Sequence, residues 1–325
     1  MLTREELYRK AFALKAQMRT EKTKRYELLL KTAYEREPRL SELENQQIAV
    51  GAELVVKALS DPAEMRKLRQ QADALAAEKK VLLEKNGVTE ILYDCSACRD
   101  TGYINGKICD CVKRIAAELA IAEMNEEMPL KSSRFEDFDL KYYPDKTDRD
   151  GVNPKRRMTA IFTMCREYAD RFDPHTSPNL LFLGQAGLGK THLTLAIVSE
   201  LIEKGYLPVY GPAENLFGRI EREKFAGENR GAYDLMVNAD LLVIDDLGAE
   251  MATSFTRSAL YNLVNTRILS RKPTVINTNL TMREIEERYT ARISSRLIGN
   301  YQAYKFIGED VRQKKAIEAK GKTVS

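Results

Sequence analysis

The 325 residues are 43% hydrophobic and 31% charged, a balance that supports a buried core and excludes a fibrous, collagen-like or wholly disordered chain. At about 100–200 residues per domain, this length points to two domains. The formal net charge of +4 is matched by the stretch from Val311 to the end, where Arg312, Lys314, Lys315, Lys320 and Lys322 stand against the single acid Glu318, so any nucleic-acid contact elsewhere must come from local patches rather than a global basic field.

Up to about Asn86 the pattern is helical. Thr3 with Glu6, Ser41 with Glu44 and Asp61 with Glu64 each set a side-chain oxygen three residues before a carboxylate, the spacing at which both satisfy orphan amides of a first turn. Three helices are expected: Pro38 separates the first two, Asp61-Pro62 opens the third, and Asn86-Gly87 closes it. Leu68, Leu75 and Leu82 recur every seven residues, a short seam that serves either as one packed face of a bundle or as a dimer contact. No run of about 18 apolar, uncharged residues occurs and the first twenty residues are charged helix formers, so the expectation is a cytoplasmic chain with no membrane span or signal sequence.

Four of the five cysteines fall within seventeen residues, as Cys95-x2-Cys98-x10-Cys109-x-Cys111, with Gly102 and Gly106 letting the chain turn back. An odd cysteine count without a secretory signal argues against a disulfide framework and for a metal site in a reducing compartment. Four thiolates match the closed tetrahedral set of a structural Zn²⁺. The final C-x-C is tighter than the usual C-x2-C, which leaves open three ligands with an outside group, an iron–sulfur or redox role, or plain buried cysteines. Cys165 stands apart on a predicted helix, as core.

A helix from about Val112 to Glu127 ends at Pro129, and a domain boundary is expected near residue 130. A polar, aromatic-dotted stretch follows, with Phe135, Phe138 and Tyr143. Beyond it, apolar strands (Leu180–Leu183, Leu207–Tyr210, Leu241–Asp245, Thr274–Thr278) alternate with helices (Thr191–Glu203, Ala213–Phe225, Ser254–Ser270). Such alternation makes a mostly parallel sheet covered on both faces.

Gly184-Gln185-Ala186-Gly187-Leu188-Gly189-Lys190-Thr191 is G-x-x-x-x-G-K-T between a strand and a helix. Its backbone amides would cradle the β- and γ-phosphates of a nucleotide at a helix N-terminus, Lys190 would neutralise γ-phosphate charge, and the Thr191 hydroxyl would ligate Mg²⁺. Leu241-Leu-Val-Ile-Asp245-Asp246 is an apolar strand ending in two acids, where ligands sit in parallel sheets. Asp245 is the expected Mg²⁺ residue and Asp246 the one that polarises an attacking water. At the end of the next strand Asn279 is preferred as the residue reaching γ-phosphate and water, with Asn277 and Thr278 as alternatives or turn residues. Arg292 and Arg296 share one face of a later helix, either as solvated surface or as charge offered to a neighbour's γ-phosphate.

These segments together, G-x-x-x-x-G-K-T-H-L, L-L-V-I-D-D-L-G, T-N-L and R-I-x-S-R-L, resemble the AAA+ ATPases of the bacterial helicase-loader group (DnaC/DnaI-like), with DnaA and IstB as relatives. The similarity covers roughly residues 130–310, and Phe135-Glu-Asp-Phe138 looks like the group's pre-Walker element near the adenine. The resemblance implies the roles given above for Asp245, Asp246, the sensor Asn279 and the box-VII Arg296. It also matches His192 to the nucleotide site. The family's helical lid is not evident after Arg296, which leaves Arg312 as the sensor-2-like residue. Some loaders of the DnaI type carry a zinc-bearing N-terminal domain that contacts the helicase, and Cys-x-x-Cys-Arg-Asp-Thr-Gly-Tyr-Ile looks like such a version.

The expectation is therefore an α/β protein: an AAA+ P-loop domain preceded by an α-helical domain with a small zinc-binding module. Its expected parts are a helical partner-binding region (1–90), a four-cysteine zinc module with linking helix (91–129), the ATPase domain (130–310) and a basic C-terminal tail (311–325). With ATP, Mg²⁺ and Zn²⁺, it would load a hexameric replicative helicase, held by its N-terminal region, onto single-stranded DNA. It would form a homo-oligomer in the ATP state, with low intrinsic turnover. An IstB-like transposition helper and an ATP-binding adaptor with little turnover are the alternatives.

Overall fold

In a computed structural model of the chain, the described residues are 4–57, 62–124, 133–147, 151–227 and 231–322. The caps expected at Thr3 and Asp61, and the boundary expected near residue 130 after Pro129, lie outside them. The chain divides into two compact units: Ala13–Lys107, and Met1–Phe12 together with Ile108–Ser325.

The first unit is helical. No glycine or proline interrupts α1 (Arg4–Arg36), which stops just before Pro38, where the preceding residue is pushed out of the helical region. The α2 helix (Arg39–Val56) packs on α3 (Pro62–Lys85), and Ala33, Leu40 and Val88 form a small core joined by Tyr34, Leu82 and Leu83. Leu68 is buried and Leu82 packs on that core, so these members of the heptad seam serve an intramolecular face. The Ser41–Glu44 box does not form. Pro38, with φ −55°, already starts the turn and its carbonyl accepts the Ser41 amide, so Ser41 lies inside α2 rather than at its cap. A short hairpin follows, β1 (Tyr103–Ile104) and β2 (Lys107–Ile108), joined by Asn105-Gly106 with both residues left-handed, the twist-matched two-residue turn.

The larger unit is built on a five-stranded sheet of order β4-β5-β6-β3-β7, parallel throughout: β3 (Asn179–Leu183), β4 (Pro208–Pro212), β5 (Leu241–Leu247), β6 (Thr274–Thr278) and β7 (Tyr301–Lys305). The interior strands are almost entirely buried, which is why they read as unbroken apolar runs. Connecting helices are α5 (Pro154–Asp170), α6 (Lys190–Glu203), α7 (Ala213–Ala226), α8 (Gly231–Asn238), α9 (Ser254–Leu269), α10 (Met282–Arg288) and α11 (Ala291–Asn300). α4 (Asp110–Met124) lies against β4 and α6 through Ala116, Ala117 and Ala120, whose small side chains allow close approach. Cys165 is fully buried in α5, as expected of core, and burial pushes its thiol far up.

One buried cation sets the start of the central strands. Arg267 of α9 is fully buried, and its guanidinium donates to the carbonyls of Met236, Val237, Ala239 and Pro273 and to the Thr274 hydroxyl at 2.6–3.0 Å. Burial lowers its pKa to about 10. The rigid fork of donors ties the turn before β5 to the start of β6, a task the point charge of lysine cannot match.

Candidate functional site

The loop from Gly184 to Gly189 leads from β3 into α6 as its sequence predicts. Gly189 caps α6 in the left-handed region with φ +86°, and a Cβ there would stand 2.7 Å from the Phe138 ring and 2.9 Å from the Tyr143 hydroxyl. Gly187, also left-handed, would drive a Cβ into the Asp310 carboxylate. The motif's glycines are thus dictated by backbone angle and by close neighbours.

Lys190 is buried, and its Nζ donates to the carbonyls of Gly184 (2.6 Å) and Gln185 (2.8 Å) and to Asn279 Oδ1 (2.8 Å). Burial pushes its pKa below the usual lysine range, against the pull of Asp246 and Asp245. An anionic phosphate beside it would recover that lost solvation. Asn279 Nδ2 in turn donates to Asp246 Oδ1 at 2.8 Å. Thr191 Oγ1 donates to Asp245 Oδ1 at 3.2 Å, so its lone pairs remain for a cation.

The two acids part company because β5 shifts register against β6 between Ile244 and Leu247. Such irregularities re-aim side chains beside active sites. Asp245 is buried; Asp246, left-handed at φ +52°, is exposed.

These groups converge on a cleft of about 390 Å³ lined by Ala186 to His192, Pro212, Asp245, Asp246, Asn279, Val311, Arg312 and Lys315. His192 Nε2 donates to the Arg134 carbonyl at 2.9 Å and its ring lies 5.5 Å from that of Phe138, which stacks on Tyr143 and Phe162. The segment read as a pre-Walker element thus lies beside the P-loop. Left-handed glycines, a buried lysine, a hydroxyl next to a carboxylate and a cleft of this size fit a nucleoside triphosphate with Mg²⁺. Arg296 is half-buried on α11 and is not among the cleft-lining residues.

Two features, the helix after Val311 and the Tyr210 contact, escape the sequence reading, and a third, Asn277, is only an alternative in it. The basic stretch after Val311 is a helix, α12 (Val311–Lys322), whose first amide donates to the Gly187 carbonyl and whose Arg312 and Lys315 reach the cleft. It is clasped by Tyr142, whose hydroxyl donates to Glu318 and whose carbonyl accepts from Lys314. Asn277, set aside as an alternative, donates to Asp245 Oδ1 at 2.6 Å, and Tyr210 of β4 donates to Asp245 Oδ2 at 2.6 Å. The i, i+2 spacing of Asn277 in β6 and Asn279 just past its end was available as a signal; the Tyr210 contact needs the strand order.

The ligand atoms of Cys95, Cys98, Cys109 and Cys111 all lie within 4.8 Å of one another, and all but Cys95 are buried. A tetrahedral Zn²⁺ with Zn–S of about 2.3 Å has S···S edges of about 3.8 Å, so this cluster fits a zinc module after a small contraction. The first pair is shaped by Asp100, whose carboxylate accepts the amides of Asp94 and Cys95 and the buried Lys15 ammonium at 2.8–2.9 Å. Burial pushes the Asp100 carboxyl up, yet these donors outweigh it and hold it below the usual range. Metal analysis should find about one zinc per chain, and Cys95→Ser with Cys98→Ser should remove it and release hydrogen-exchange protection around residues 88–111, because thiolate–zinc binding is folding free energy. A well-folded, metal-free protein would sink this assignment.

Among the described residues, no helix is long and apolar enough to cross a membrane. A family profile for IstB-like ATP binding proteins matches residues 171–319. The replicative helicase loader DnaC of Escherichia coli (strain K12) is 30% identical over 153 residues, 46% of this chain and 61% of that protein. The phage-like element PBSX protein XkdC of Bacillus subtilis (strain 168) is 28% identical over 212 residues, 58% of this chain and 73% of that protein. A crystal structure of the DnaC helicase loader aligns with TM-score 0.47 at 20% identity, covering 55% of this chain and 99% of that one. The chain thus spans less than two thirds of the DnaC loader's length. Residues 171–319, which carry the P-loop, the paired acids and Asn279 of one cleft, are thus similar to IstB-like ATP binding proteins, and about half of the chain is similar to the DnaC loader.

Proposed function

We propose that this chain is an ATP-dependent, cytoplasmic loader of a hexameric replicative helicase onto single-stranded DNA. The observation that carries the reading is one cleft with every cis group for ATP·Mg²⁺ and Arg296 outside it. That division suits an enzyme completed by a second copy. The similarity to a protein named as a replicative helicase loader supplies the partner class.

The cleft would take ATP with Mg²⁺, whose positive charge would offset that of the phosphates. Gly184 to Gly189 would cradle the phosphates, with His192 and Phe138 beside the base. Lys190 and Arg312 would neutralise the γ-phosphate, Thr191 and Asp245 would hold the metal, and Asp246 with Asn279 would orient a water in line. Low turnover suits a switch rather than a motor. The helical region to residue 90 and the cysteine module to residue 129 would meet the helicase. Exposed Ile48, Val55, Val56 and Val81 on α2 and α3 support a partner surface there. The ATPase domain would run from 130 to 310, and the basic segment from 311 would serve the cleft through Arg312 and Lys315.

The profile match favours one second reading, an IstB-like transposition helper. Affinity capture of the full chain from native lysate, with ATP and with ADP, separates them. A replicative helicase retained with ATP supports the loader. A transposase retained instead establishes the helper, and nucleotide binding without turnover on single-stranded DNA leaves the adaptor.

A further inference from the structure

The Asp245 carboxylate is gripped from three elements. Oδ2 accepts from the Tyr210 hydroxyl of β4, and Oδ1 accepts from Asn277 Nδ2 of β6, each at 2.6 Å, while the Thr191 hydroxyl of α6 reaches Oδ1 at 3.2 Å. A carboxylate has about four lone-pair sites, so three are taken and its plane cannot turn. Because a carboxylate only accepts, the Asn277 amide must present nitrogen to it, and Thr194 Oγ1 lies 3.1 Å from the amide oxygen on its other side. Tyr210, Asn277 and Asp245 are all buried.

We propose that Tyr210 and Asn277 are positioning residues for the metal: they lock Asp245 so that Oδ1 takes the Thr191 proton and the Thr191 lone pairs face the cation. Neither touches nucleotide or metal; both act through Asp245 and Thr191. The inference rests on the nucleotide-and-metal reading above. Partners of this kind are worth about 10–100-fold in metal affinity when removed. Tyr210→Phe keeps the ring and deletes one hydroxyl, whereas Asn277→Ala deletes the donor to Oδ1.

Binding of a fluorescent, non-hydrolysable ATP analogue to the full chain is titrated with Mg²⁺ and repeated in chelator-free buffer without added Mg²⁺ or Mn²⁺, and bound Mn²⁺ is followed by electron paramagnetic resonance. Either variant should raise the half-saturating Mg²⁺ and Mn²⁺ concentrations ~10–100-fold and leave binding without added Mg²⁺ or Mn²⁺ unchanged. Tyr206→Phe, which deletes a hydroxyl donating to the Phe172 carbonyl at 3.1 Å, should move neither quantity. Parental metal midpoints in both variants, equal losses with and without metal, or the same shift in Tyr206→Phe would overturn the proposal. If Tyr210→Phe does not fold by its melting curve without added Mg²⁺ or Mn²⁺, Asn277→Ala decides alone. A parent chain that binds no nucleotide refutes the underlying reading instead.

Discussion

Lys190→Ala should abolish measurable nucleotide binding, whereas Asp246→Asn should bind almost normally and fail to turn over. The Lys190 ammonium is the buried cation of the cleft and is shared among two loop carbonyls and Asn279. Its loss removes the phosphate counter-charge and lets the loop relax, so a drop of about 100-fold or more, roughly 2.7 kcal/mol, is expected. Asp246 contributes differently. Its carboxylate accepts from Asn279, and the amide oxygen of asparagine can accept in its place. Asparagine also tolerates the left-handed backbone that position 246 requires. Binding geometry should therefore survive while hydrolysis falls about 10²–10⁴-fold, the range for a lost general base. Calorimetric titration with a non-hydrolysable analogue and phosphate release measure the two quantities. Equal loss of binding in both variants would refute this division of roles.

Arg296→Ala should leave ATP binding to isolated protomers intact and remove hydrolysis or ATP-dependent assembly by about 10³-fold or more, the worth of an arginine finger. Ile293, Ser294 and Leu297 bury one face of α11, so Arg292 and Arg296 are carried on another, away from the cleft that holds Lys190. Mixing Arg296→Ala with Lys190→Ala is the decisive measurement. Lys190→Ala subunits still present the arginine, and Arg296→Ala subunits still hold nucleotide. Activity should reappear in the mixture; its absence, with co-assembly demonstrated, would make the arginine a cis or purely structural group.

What the sequence determined by itself was local and contiguous. The P-loop was legible because eight consecutive residues carry both the backbone freedom and the charge that a phosphate needs, between a strand and a helix set by their own periodicity. Asp245 and Asp246 were legible as acids ending an apolar run, and the four cysteines by their spacing. Tertiary structure decided the rest. The edge strand β7 pairs only with β3 and is largely exposed, so Tyr301–Lys305 lacks the apolar run of the interior strands. The seat of α12 on Gly187 joins residues more than 120 positions apart. Tyr210 reaches Asp245 because β4 pairs with β5, an order that no window of local sequence contains. The different fates of the two adjacent acids likewise come from a register shift against β6. Propensity and capping act within a turn or two of the chain, whereas the grip on Asp245 depends on which strands share hydrogen bonds, and that is settled by burying the whole sheet at once.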